Sequence, residues 1–289
     1  MRTVTGPLSS RSARVAAARR LLRAKDRARE RAFLVEGPQA VREAVREARR
    51  RLSHDATAEP LVRDVLVTAA ARERHADVVA EAVGVGASVH DATDEAVDGL
   101  SDTVTPQGLV AVCRFVDVPL TEAVGDRLDA GARIVPVLVQ VRDPGNAGAV
   151  LRVADAAGAS AVVCTDGTVD VYNPKCVRAS TGSLFHLPVT TAVSVGVAVA
   201  ALRERGLHVL AADGAGATDL DDALDSGLLA RPTAWLFGNE AWGLPDDVKE
   251  LADDVVRVPI HGAAESLNLA TAAAVCLYAS ARGRRGAQP

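Results

Sequence analysis

Five short apolar runs rich in β-branched residues recur along the second half of this chain, at residues 134–140, 161–164, 207–212, 233–237 and 255–258. Stretches of helical length separate them: 147–157, one opened by Pro174 with Asn173 as its cap, 195–205, a short one opened by Pro245, and a closing one over 267–281. Strands that alternate with helices cannot pair as hairpins, so they form a mostly parallel sheet covered on both faces. That pattern fixes the class as α/β and directs attention to the loops at the strand ends, where open sheets of this kind bind ligands.

A chain of 289 residues with 48% hydrophobic content holds material for two cores. Strand and helix also alternate over residues 13–116, with Val15, Ala18, Leu21 and Leu22 at helical spacing. Strands are expected at 32–35, 64–68, 88–90 and 109–113, and Pro38 is placed to open a helix running through about residue 51. This stretch reads as a small α/β domain. Residues 1–12 are read as a flexible N-terminus, 117–133 as a linker, 134–282 as the second domain and 283–289 as a frayed basic tail.

Charge is unevenly divided. Residues 1–51 hold 15 Lys plus Arg against 5 Asp plus Glu, and the remainder 18 against 32, beneath a net charge of −4. Arginine pairs bidentately with phosphate, so residues 11–31, with few acids nearby in sequence, read as a contact for a nucleic acid. Residues 38–51 read in part as a solvated face of Arg/Glu pairs. No apolar run is long enough to span a membrane and the Arg-rich start lacks the apolar centre of a signal peptide, so a cytoplasmic protein is expected. Cys113, Cys164, Cys176 and Cys276 are scattered without a Cys-x-x-Cys pair; neither a metal site nor a disulfide framework is expected.

Three strand-end segments carry chemistry-bearing residues. Asn146-x-Gly148-x-x-x-Arg152 follows the first run and opens a helix; Asn146 can cap that helix, whereas Gly148 costs about 1 kcal/mol inside it unless something approaches closely. Phe237-Gly238-Asn239-Glu240-Ala241-Trp242-Gly243-Leu244 places two glycines around Asn239 and Glu240, as a backbone that wraps a ligand requires. Glu240 can also offset a helix N-terminus, and Trp242 fits either base stacking or an interface. Pro259-Ile260 leads to Ser266-Leu267-Asn268-Leu269, where Ser266 can cap an alanine-rich helix that is thin enough for close packing. The glycine spacing is that of neither a Rossmann fingerprint nor a P-loop, which disfavours a nucleotide-dependent oxidoreductase.

Taken in order, these motifs, together with the run from Asn173 to Ser183, resemble the SpoU (TrmH-like) branch of the SPOUT RNA methyltransferases. Glu36-Gly37 and the run from Thr103 to Gly108 resemble that family's N-terminal RNA-binding domain, which is L30e-like. The resemblance implies a C-terminal SPOUT domain with a parallel sheet and a deep trefoil knot, homodimerisation through the knot, and S-adenosylmethionine as cofactor. It implies methyl transfer to a ribose 2′-hydroxyl of RNA, with 23S ribosomal RNA as the expected substrate and the basic first domain as its contact. It assigns Arg152, Asn146, Glu240, Ser266 and Asn268 to the methyl-transfer site. Phe237, Gly238, Asn239, Gly243, Pro259, Ile260, Leu267 and Leu269 are assigned to the cofactor. The alternatives are a transfer-RNA 2′-O-methyltransferase and a non-catalytic RNA-binding protein with a vestigial knot.

Overall fold

Among the described residues, hydrophobic core clusters form against each of two sheets. A computed structural model describes residues 6–101, 103, 105–125, 128 and 133–286. Residues 1–5 of the expected flexible N-terminus, 126, 127 and 129–132 of the expected linker, and 287–289 of the expected tail lie outside the described residues.

The first unit comprises the chain up to Phe115 together with Asp170–His186. Its elements are α1 (Ala13–Arg20), α2 (Ala24–Glu30), β1 (Ala32–Glu36), α3 (Pro38–His54), β2 (Val62–Val67), α4 (Ala69–Arg74), α5 (Ala76–Gly84), β3 (Ser88–Asp91), α6 (Asp94–Asp98) and β4 (Leu109–Arg114). The sheet order is β1-β4-β2-β3, with β4 antiparallel to both neighbours and β2 parallel to β3. Gly37, at φ +88°, makes the turn out of β1, and Pro38 at the first helical position fixes the entry to α3. Val41, Ala44, Val45 and Ala48 then recur on the buried face of α3, while Arg46, Arg50 and Arg51 pair with Glu43 and Glu47. Residues 6–12 are not loose: Leu8 bridges to Ala92, and the Ser10 hydroxyl donates to Glu95 at 2.9 Å.

The second unit contains α7 (Leu120–Ala123), β5 (Ile134–Leu138), α8 (Pro144–Ala156), β6 (Val162–Thr165), β7 (Val189–Val193), α10 (Val195–Glu204), β8 (His208–Ala212), β9 (Thr218–Asp219), α11 (Leu220–Asp225), β10 (Thr233–Phe237), α12 (Asp246–Lys249), β11 (Asp254–Arg257) and α13 (Leu269–Gly286); α9 (Pro174–Ser180) belongs to the first unit. Its seven strands run β7-β6-β5-β10-β8-β11-β9 with every pairing parallel. Pro136 stands in a central strand, and β5 pairs with β6 only from Val137 onward, past the residue that lacks an N–H. The expected linker is packed rather than free: Ala123, Val124 and Leu128 are buried, and the Val118 N–H donates to Val189.

Residues 170–186, expected in the second domain by sequence order, cluster with the first unit for two physical reasons. Tyr172 stacks on Phe115 with centroids 3.7 Å apart, and Phe33 lies 4.6 Å from Tyr172 and 6.1 Å from Phe185. Three of the chain's four Phe and one of its two Tyr meet there. Arg27, fully buried, donates to Asp170 at 2.8 Å and to the carbonyls of Leu21 and Leu22. Of the basic segment 11–31, Arg27 is therefore internal, whereas Arg14, Arg23 and Arg29 stay at the surface while pairing with Asp64 and Asp26.

Helix α13 begins two residues later than expected and absorbs residues 283–286 of the expected tail. It fits because its residues are small: a Cβ on Gly283 would come within 2.9 Å of the Leu229 backbone. The buried Ser280 hydroxyl accepts from the Trp235 indole at 2.8 Å, tying α13 to β10. All four cysteines are buried, and burial pushes the Cys164 and Cys276 thiols up to about 12. Among the described residues no helix is long and apolar enough to cross a membrane, and no group of side chains is arranged to hold a metal. Replacing Ser280 with Ala strands the Trp235 N–H in a dry core, which should cost about 1–3 kcal/mol. Urea denaturation checks this, and a loss below about 0.5 kcal/mol would show that the bond contributes nothing of note.

Candidate active site

Asp143, not Asn146, caps α8: its carboxylate accepts from the Asn146 N–H at 2.8 Å, with Pro144 at the first helical position. That leaves the Asn146 side chain for other partners. Its amide donates to Glu240 Oε1 at 3.0 Å, and its carbonyl accepts from the Asn268 amide at 3.0 Å. Asn268, not Ser266, caps α13, accepting from the N–H groups of Ala270 and Thr271 at 2.9 and 3.4 Å. Asn146 thus joins its own segment to two others that lie 94 and 122 residues further along the chain.

Glu240 closes the arrangement from its other side. It accepts from the N–H groups of Arg142 and Asp143, both at 3.1 Å, and so stands at the start of α8 rather than of the helix that follows it in sequence. Burial pushes its carboxyl up, but the hydrogen bonds from Asn146 and from the backbone of Glu240, Arg142 and Asp143 outweigh that, holding it below the ordinary glutamate value of 4.5. At neutral pH it is a saturated acceptor, poorly suited to give or take a proton.

Asn146, Glu240 and Asn268 edge a crevice of about 920 Å³ at the C-terminal ends of β8, β10 and β11, within the size range of small-molecule and cofactor sites. Phe237, Gly238, Asn239 and Gly243 form one wall, and Pro259, Ile260, Ser266, Leu267 and Leu269 the opposite one. The wall after β10 is rigid. Asn239 and Gly243 exchange two backbone hydrogen bonds of 2.9 Å, Gly243 sits at φ +69°, and a Cβ on Gly238 would collide with the Gly243 backbone. Both glycines thus serve the loop's own closure. Asn239 is buried, donating to the Gln140 carbonyl and accepting from the Ala241 N–H, each at 2.8 Å.

Asp213, Gly214, Asp219 and Arg257 also line the crevice, although the sequence motifs did not include them. Arg257 donates to the carbonyls of Gly216 and Ala217 and pairs with Asp219 at 3.4 Å, fixing the 213–219 loop. The available signal was positional: Asp213-Gly214 follows an apolar strand. Arg152 lies elsewhere, exposed on α8 and outside the lining of this crevice, while Gly148 is buried in the same helix. Trp242 is 54% exposed, with the Arg142 guanidinium 5.6 Å from its ring.

An open parallel sheet with a preformed crevice at its strand ends and a polar triad at the rim defines a cofactor-binding α/β enzyme fold. The family model described as the SpoU rRNA Methylase family matches residues 133–278, and one described as the MRM3-like substrate binding domain matches residues 12–111. The chain belongs to the SpoU rRNA methylase family. It is 32% identical over 254 residues to the 23S rRNA (guanosine(2553)-2′-O)-methyltransferase RlmP of Bacillus subtilis, covering 88% of this chain and 90% of that one. It is also 32% identical over 228 residues to the 23S rRNA (guanosine-2′-O-)-methyltransferase RlmB of Bordetella pertussis, covering 78% and 91% respectively. Among solved structures, the SpoU methyltransferase AviRb of Streptomyces viridochromogenes in complex with AdoMet superposes with a TM-score of 0.79 at 27% identity, covering 95% of this chain and all of that one.

The Glu240 carboxylate contributes stability that is complete above the ordinary glutamate value and is lost as pH falls through its lowered folded value. Glu240→Gln should therefore be less stable than the wild type at pH 7, with the gap closing below about pH 4.5. Thermal melts from pH 7 to 3 test this, and a gap that stays constant with pH would assign the loss to something other than the charge.

Proposed function

We propose that this chain transfers a methyl group from S-adenosylmethionine to a ribose 2′-hydroxyl of 23S ribosomal RNA. The observation that carries the reading is the Asn146–Glu240–Asn268 network, built at the rim of a preformed crevice in a chain of this family. Both relatives are named as 23S rRNA 2′-O-methyltransferases, which favours ribosomal over transfer RNA.

The crevice suits the cofactor. Apolar side chains of Phe237, Ile260, Leu267 and Leu269 can face the adenine and the methionine chain, and the carboxylates of Asp213 and Asp219 complement hydroxyls and a cation. The backbone around Gly238, Asn239, Gly243 and Pro259 supplies hydrogen bonds. When bound, S-adenosylmethionine provides an electrophilic methyl group on a sulfonium. The chain's own task is to orient the ribose 2′-oxygen and favour its developing alkoxide character. Asn268 and Ser266 face that position, while Asn146, itself held by Glu240, keeps Asn268 in register. A guanidinium has five N–H donors and no acceptor, so Arg152 orients the ribose or an adjacent phosphate rather than removing a proton.

A trefoil knot in the second unit and an L30e-like fold in the first belong to the same proposal, supported by family membership and by the match of residues 12–111 to a substrate binding domain. So does a homodimer, for which Val275 and Tyr278, 39% and 53% exposed and one turn apart on α13, offer an apolar face. Because Arg152 stands outside its own chain's crevice, we place it at the crevice of the second protomer. A non-catalytic scaffold has no need of an asparagine joined to two further polar side chains at the rim of an open crevice.

Purified protein should transfer labelled methyl to an unmodified 23S rRNA transcript at a single 2′-oxygen, and mapping that finds base methylation or none contradicts the reading. Asn146→Ala and Arg152→Ala should each lower the rate at least 100-fold. Mixing Arg152→Ala with Asn268→Ala should restore part of the activity, and a mixture no better than either alone would return Arg152 to its own chain.

A further inference from the structure

The first unit holds a second pocket, of about 280 Å³, that the methyl-transfer chemistry does not use. It lies where β1 turns into α3, beneath the run after α6, and is completed by α9 from the inserted segment. Its polar side chains are Glu36, Gln39, Thr103, Thr105, Gln107, Arg178 and Thr181. Gly37 and Ala40 complete the lining and no large apolar side chain joins them, so the polar groups set what the pocket can hold. Glu36 faces Arg178 at 3.6 Å, which leaves the pocket near neutral and poorly suited to an isolated phosphate.

The polar groups are held in place. Glu36 Oε1 accepts from the hydroxyls of Ser101 and Thr103, the latter at 2.7 Å, and Gln39 donates to Glu43 at 3.1 Å. Gln107 carries its amide oxygen over Gly37, where a Cβ would approach to 2.9 Å, so side chain and turn are fitted to each other. Two carboxamides, three threonines, a carboxylate and a guanidinium present donors and acceptors side by side. That is the complement of a nucleobase edge, and the volume admits one nucleoside.

We propose that this pocket takes a single unpaired nucleotide of the RNA substrate, reading its base edge; the inference rests on the RNA methyltransferase reading above and adds to it a second recognition point. RNA is read sequence-specifically at splayed, unpaired bases rather than along its helices, and such a pocket supplies that readout without stacking. The inserted segment then has a purpose: Arg178 and Thr181 complete a pocket that the first 115 residues leave open on one side.

Gln39, Thr105 and Gln107 are exposed, so changing them should spare the fold. In the full-length protein, Gln39→Ala with Gln107→Ala should raise KM for an unmodified 23S rRNA transcript about tenfold or more. The rate at saturating RNA and the affinity for S-adenosylmethionine should be unchanged. Thr105→p-benzoylphenylalanine should cross-link to an unpaired nucleotide of the same transcript. A KM within twofold of wild type, or cross-links confined to duplex RNA or to protein, overturns the pocket. Wild-type transfer with no cross-link defeats the pocket alone, whereas a nucleotide cross-link without any methyl transfer defeats the methyltransferase reading alone.

Discussion

One carboxamide holds the candidate active site together. Asn146 donates to Glu240 and accepts from Asn268, so a single side chain joins the starts of α8 and α13 to the loop after β10. Each partner is fixed in turn: Glu240 by two backbone N–H groups at the head of α8, and Asn268 by its capping of α13. An asparagine suits this position because it gives and accepts at once. Alanine there would leave both neighbours without their shared partner.

The larger architecture makes that meeting possible. Parallel pairing aligns the C-terminal ends of β5, β8, β10 and β11 along one edge, so loops distant in sequence open into one crevice. Helix α13 lies close because its inner residues are small, and the Ser280–Trp235 bond fixes it to the central strand β10. The rigid turn from Gly238 to Gly243 then sets the wall against which residues 259–269 face.

Much of this was legible in the sequence, and the exceptions have physical causes. The central strands were readable because both faces are buried and their residues are uniformly apolar, as in Ile134–Leu138 and Thr233–Phe237. Edge strands were not: Val189–Val193 carries two threonines, and Thr218–Asp219 is only two residues long. Both caps were displaced onto neighbouring residues. Pro144 at the first helical position marks Asp143 as the cap and frees Asn146, a signal present in the sequence but outweighed by the motif. The transfer of residues 170–186 to the first unit depends on Tyr172 stacking on Phe115 and on Arg27 reaching Asp170. No local pattern encodes contacts over such separations. The arginines of residues 11–31 likewise found acids at Asp64 and Asp170 that proximity in sequence could not reveal.

The central claim is that Asn146 and Asn268 act as one unit rather than as two independent contacts. A double-mutant cycle on the single-turnover methyl-transfer rate measures this directly, using Asn146→Ala, Asn268→Ala and the pair. The account predicts strong non-additivity, a coupling of about 0.5–3 kcal/mol as for residues in one hydrogen-bond network, with the double variant little slower than the worse single one. Additive losses would contradict it.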